Sequence, residues 1–158
     1  MSIEAVDSQV VKFDEMTFGE RLKLEHFGFW VASAIARVLY DEFEVEQVIL
    51  FGSMTNYELL TRDSDIDIAL VGGSPDSTPW GDSRGLFAAI ELVRQIAIYC
   101  HEAFDLPLFE VDLVLFSQMK PRMQREIKEG TVMGSDSLFA RSITREKVKD
   151  YFSSTART

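Results

Sequence analysis

Hydrophobic and polar residues alternate along this chain in two periods. Leu24, Phe27, Val31, Ala34, Ile35 and Val38 recur at helical spacing, with Glu20, Arg21, Glu25 and Arg37 mostly off that stripe. The pattern predicts an amphipathic helix from Thr17 to about Phe43. Gln47 to Phe51 is a short apolar run rich in β-formers that ends at Gly52, a buried strand. Thr55-Asn56-Tyr57-Glu58 has the form of a capping box and predicts a short helix reaching Leu60. Asp65 to Val71 is the second strand. Leu86, Ala89, Ile90, Val93, Ile96 and Ala97 share one face of a second helix, Leu86 to about Ala103. Glu110 to Phe116 is a third strand. Pro121 to Lys128 fits a short helix with Pro in its first turn, stopped at Gly130. Thr144 to Phe152 fits a last, partly exposed helix.

Between the second strand and the second helix lies Gly72 to Gly85, rich in Gly and Pro (Gly72, Gly73, Pro75, Pro79, Gly81). This is turn chemistry throughout, and loops of such length tend to be lids or binding loops. Residues 1–16 show no clear period and read as a frayed or docking arm. The element order predicts an α/β or α+β fold, a small mixed β-sheet flanked by helices. At 158 residues the chain has the length of a single domain. It divides into an N-terminal helical extension (1–45), a core (46–133) and a C-terminal helical tail (134–158).

Charge narrows the functional classes. The net charge is −10, which argues against holding nucleic acid by its phosphates. Residues 117–158 carry nine Lys/Arg against five Asp/Glu; the remainder carries seven against twenty-one. An acidic body with a basic tail suits a protein contact or a local anion site better than a DNA groove. The single Cys100 excludes an intrachain disulfide, so a cytoplasmic protein is the expectation. The first residues lack the basic start and apolar run of a signal peptide, and no stretch is long enough to span a bilayer.

The candidate chemistry lies in the strands. Asp65 and Asp67 alternate with Ile66, Ile68 and Leu70, so both carboxylates project from one face and the apolar side chains from the other. Asp112, Val114 and Phe116 repeat the scheme on the third strand. If the two strands are neighbours, Asp112 joins Asp65 and Asp67. Aspartate is a poor strand former, and its repetition on an apolar strand is hard to explain as a solvated face alone. Crowded carboxylates need cations, and Mg²⁺ is the natural one, a hard ion completed by water and phosphate. Two such ions clamp the oxygens of an in-line phosphoryl displacement. A calcium loop fails on spacing, because Ile68 stands where Gly is needed and Ser74 where the bidentate Glu is needed. Gly52 would let a phosphate approach the backbone, and Ser53 would add a hydroxyl and an N–H. No Walker A lysine pattern occurs.

Gly52-Ser53, an eleven-residue spacer, Ser64-Asp65-Ile66-Asp67-Ile68-Ala69-Leu70 and then Val111-Asp112-Leu113-Val114 resemble the signature of the DNA polymerase β-type nucleotidyltransferase superfamily. The small size is similar to its minimal (MNT) members. The likeness runs from about Gln47 to Val132 and includes Ile127 to Val132, similar to the short helix and final strand that close such domains. It implies the polymerase β-type fold and metal binding by Asp65, Asp67 and Asp112. Asp112 would also help to activate the attacking hydroxyl, and Gly52 and Ser53 would grip a triphosphate. It implies an enzyme that moves a nucleotide, typically AMP from ATP, onto a hydroxyl. For minimal members it implies pairing, as an antitoxin, with a helical HEPN-type toxin. Alternatives are a non-catalytic module that neutralises a helical partner by contact, and an aminoglycoside-type adenylyltransferase. Association with a second chain, identical or different, is expected. The chain departs from the pattern at Met54, where minimal members carry Arg; Arg62 or another chain would then supply the cation.

Other residues have plainer readings. His26 and His101 read as structural, Cys100 as a buried small hydrophobe, and Trp80 as packing rather than base stacking. Lys120, Arg122, Arg125 and Lys128 read as a solvated face that could dock an acidic partner or meet a triphosphate.

Overall fold

A computed structural model of the chain describes residues 16–43, 45–72, 83–134 and 137–156. The expected N-terminal arm over 1–15 and most of the Gly/Pro loop (73–82), Trp80 included, lie outside the described residues.

Helix α1 spans Phe18–Glu42. Thr17 caps it, its hydroxyl accepting from Glu20 N–H at 3.1 Å. Strand β1 is Gln47–Phe51 and β2 is Ile66–Val71. Helix α2 (Ser83–Phe104) leads to β3 (Val111–Leu115). Helix α3 (Pro121–Lys128) leads to the two-residue β4 (Thr131–Val132), followed by α4 (Leu138–Arg141) and α5 (Arg145–Ala156). Alternation and helical spacing thus predicted each main element to within a few residues. The one-turn α4 has no periodic signal and was not foreseen.

The strands form one sheet in the order β3-β2-β1-β4. β1 pairs antiparallel with β2 and β4, while β2 and β3 are parallel, joined by the α2 crossover. A small mixed sheet flanked by helices is the α+β architecture that the element order predicted.

Because side chains alternate, the sheet has two different faces. On one, Val48, Leu50, Ile66, Ile68, Leu70 and Leu115 join the main core with Ile35 and Leu39 of α1 and Val93 and Ile96 of α2. On the other, Ile49 and Ala69 are covered by Ile127 of the short α3, with Phe51, Val71, Val114 and Phe116 around them. This second layer is small because α3 has only eight residues. The Tyr40 hydroxyl ties α1 to the sheet, accepting from Val48 N–H and donating to the Met133 carbonyl, each at 2.9 Å. Among the described residues no helix is long and apolar enough to cross a membrane.

Candidate functional site

The β2–β3 register sets Asp67 directly beside Asp112, and the β1–β2 register sets Asp67 opposite Phe51. One row across the sheet therefore runs Phe51, Asp67, Asp112, all on the face that α3 partly covers. Ile127 closes over Ile49 and Ala69, one pleat further along, which leaves the acidic row at the open end of the strands. Asp65 precedes β2, two residues before Asp67, where Ile66 N–H donates to the Glu110 carbonyl at 2.8 Å.

The electrostatics follow from this placement. Asp67 is half-buried, and burial first, then the charges of Asp112 and Asp65, push its carboxyl up from 3.8 to about 6. Like charges are held together by the backbone register, an arrangement relieved by a proton on Asp67 or by a nearby cation. Among the described residues, no three His, Cys, Asp or Glu side chains converge tightly enough to hold a metal ion by themselves. The donor set still fits Mg²⁺, which takes one or two carboxylates and fills its shell with water and substrate phosphate.

Gly52 follows Phe51 and turns the chain with φ +78°, a conformation that favours glycine. A Cβ on Gly52 would overlap Asp67 Oδ2, so the turn lies directly against that carboxylate. The segment behind it differs from the sequence expectation. Instead of one capped helix, there are two 3-10 turns, Gly52–Thr55 and Tyr57–Leu59. Thr55 does not cap: its hydroxyl donates back to the Gly52 carbonyl at 2.7 Å, and Asn56 Oδ1 accepts from Glu58 N–H instead. Thr and Asn side chains compete here for local backbone groups, which breaks the helix into turns.

Met54 has a definite structural role. It is only 2 % exposed and belongs to the main core. It packs so closely on Gly28 of α1 that a Cβ there would collide with its sulfur. The position where a cation was expected is here a buried rivet between the Gly52-Ser53 turn and the long N-terminal helix. Arg62, the expected substitute, is 3.6 Å from Glu20 in an ion pair with both side chains well exposed. It also lines an open hollow with Asp63, Ser64, Asp65, Leu108 and Glu110.

A second cleft, of about 440 Å³, lies along β3 and is lined by Asp65, Asp112, Glu110, Leu108, Phe109 and Val111, together with Ile90, Arg94 and Ile98 of α2. Arg94 does not stand out in the sequence because it borders the apolar stripe of its helix. The signal was available: Ile90, Arg94 and Ile98 are four residues apart and share a helix face. A larger hollow between α1 and α5, lined by Asp41, Glu42, Arg145 and Lys149, holds none of the acidic row.

The plainer readings agree with the structure. Cys100 is fully buried, and burial pushes its thiol up to about 12. His26 is exposed on α1. His101 Nδ1 donates to the Leu106 carbonyl at 2.6 Å, closing the end of α2. Lys120, Arg122, Arg125 and Lys128 are exposed in and beside α3.

A family model described as polymerase beta, nucleotidyltransferase, matches residues 33–137. No curated protein matches the chain. The matched span begins inside α1 and contains the Gly52 turn, Asp65, Asp67, Asp112, α3 and β4. With that span and the mixed sheet in agreement, the chain belongs to the polymerase β-type nucleotidyltransferase family.

Proposed function

We propose that this chain transfers a nucleoside monophosphate, AMP from ATP, to a hydroxyl acceptor in a Mg²⁺-dependent reaction, and that the acceptor is carried by a partner protein. The observation that carries the reading is the row formed by the Gly52 turn, Asp67 and Asp112.

Asp65, Asp67 and Asp112 would hold the metal, which when bound would neutralise the carboxylates and the triphosphate. Gly52 and Ser53 would hold the phosphates, with no side chain in the way at 52. The attacking oxygen bonds to the α-phosphorus as the bond to the bridging oxygen breaks, and pyrophosphate leaves. Asp112, at the exposed edge of the row, would receive the hydroxyl proton or orient the hydroxyl for its loss. Positioning and charge stabilisation are most of the protein's work in such a reaction.

The partner is proposed to be helical, of the HEPN type that the minimal members accompany. A second reading is a contact-only binding module, favoured by Leu22 and Phe29 of α1 and by nearby Leu59, all large apolar residues left exposed. The two separate in one experiment. Wild type, Asp67→Asn and Asp112→Asn are each incubated with α-labelled ATP, Mg²⁺ and the partner, and the partner's mass is read. An increment of one nucleotide with wild type alone supports transfer. Equal neutralisation of the partner by all three, with no increment, removes the enzymatic reading.

A further inference from the structure

The cleft beside β3 differs from the Gly52 turn in position and in chemistry. In the row Phe51, Asp67, Asp112, the turn lies on the β1 side of Asp67 and the cleft opens on the β3 side. In-line displacement places the incoming and leaving oxygens on opposite sides of the phosphorus. A triphosphate held at Gly52 therefore leaves the β3 side for the acceptor.

That side carries one cation, Arg94, among its lining residues. Although Glu110, Asp65 and Asp112 line the same cleft, no ion pair within 4.0 Å holds Arg94 among the described residues. Ile90 and Ile98 stand one turn before and one turn after it on α2, and Phe109 and Val111 form the facing wall. Arg94 is exposed, so its guanidinium is accessible to a bound molecule. Leu108 is 58 % exposed at the mouth, an apolar side chain placed where a bound molecule would cover it.

We infer that the α2–β3 cleft is the acceptor site, and that Arg94 is a positioning residue that binds an anionic group of the acceptor so that its hydroxyl faces Asp112. This rests on the transfer reading of Asp67 and Asp112. It names the acceptor class, a hydroxyl compound or side chain with a carboxylate or phosphate close by. The three carboxylates of the cleft outnumber Arg94, so the preference for an anion is expected with Mg²⁺ bound at Asp65 and Asp112.

The test uses three small hydroxyl probes of similar size: glycerate, glycerol and serinol, which are anionic, neutral and cationic. Each is titrated into the full chain in the presence of Mg²⁺, and methyl NMR follows Ile90, Ile98 and Leu108. Glycerate is expected to shift these methyls saturably, and serinol to leave them in place. Arg94→Ala should weaken glycerate at least ~10-fold, the loss of one charge-assisted pair, while Arg94→Lys retains a preference for the anion. The methyls of Ile35 and Leu39 in the core report whether each variant is folded. Equal glycerate affinity in wild type and Arg94→Ala, or shifts scattered away from the cleft, overturns the inference. Mg-ATP titration of wild type and Asp67→Asn is run in parallel. Binding to wild type alone, with no glycerate effect, overturns the acceptor site and leaves the transfer reading standing. Failure of Mg-ATP to bind wild type removes the transfer reading, and the acceptor role falls with it.

Discussion

Gly52 and Asp67 are in such close contact that residue 52 has no room for a side chain: any Cβ would overlap Asp67 Oδ2. The contact joins the phosphate-side turn to the central carboxylate, so one substitution disturbs both. Gly52→Ala combines that overlap with the strain of φ +78° and is expected to cost about 1–3 kcal/mol. Denaturant unfolding measures the cost. Mg-ATP affinity, by calorimetry, should fall with it. Ser53→Ala adds no overlap and should leave stability within about 0.5 kcal/mol.

Asp67 makes the metal-free fold sensitive to pH. Its carboxyl titrates near 3.8 when unfolded and at about 6 when folded, so the folded chain binds the proton more tightly. The associated stability is fully present below about pH 3.8 and is lost as pH rises through about 6. Because the carboxyl is only partly buried, solvent screening reduces the loss to about 1–2 kcal/mol. The difference in unfolding free energy between wild type and Asp67→Asn, followed from pH 4 to 8 in EDTA, isolates it from other carboxylates. Asp67→Asn should be the more stable of the two at pH 7. Mg²⁺ should raise the wild-type midpoint and leave that of the variant nearly unmoved.

Met54→Arg would place in this chain the cation expected after the Gly52-Ser53 turn. Since Met54 is buried against Gly28, the guanidinium would enter the core without a partner. The expected result is a loss of about 3 kcal/mol or more and no gain in nucleotide affinity. Thermal unfolding and Mg-ATP calorimetry on the same sample check both parts.

Cys100 should be inert in the native protein. Full burial and a thiol pushed up to about 12 leave almost no thiolate at neutral pH. A disulfide reagent such as DTNB should titrate no thiol in buffer and one in denaturant. Rapid native labelling would show that α2 opens readily.

Much of this was legible in the residue pattern, for a physical reason. Alternation in 65–71 and 111–115, and helical spacing in 18–42 and 83–104, are local consequences of which side chains must be buried. The Thr55 capping box misled because Asn56 Oδ1 takes the Glu58 N–H while the Thr55 hydroxyl donates to the Gly52 carbonyl, a contest that sequence spacing cannot score. Arg94 was hidden because its importance comes from β3 and not from its own helix.

By itself, then, the sequence determined the elements, the two-faced strands, the crowding of Asp65 and Asp67 on one face, and the need for glycine at a turn. These depend on chain geometry and burial within a few residues. Only the tertiary structure decided that Asp112 stands in register with Asp67, that Met54 faces the core instead of the phosphate side, and that Arg94 shares a cleft with Asp65 and Asp112. Each joins residues from eighteen to forty-seven positions apart, through strand pairing and packing whose register is set by the whole sheet rather than by any local pattern.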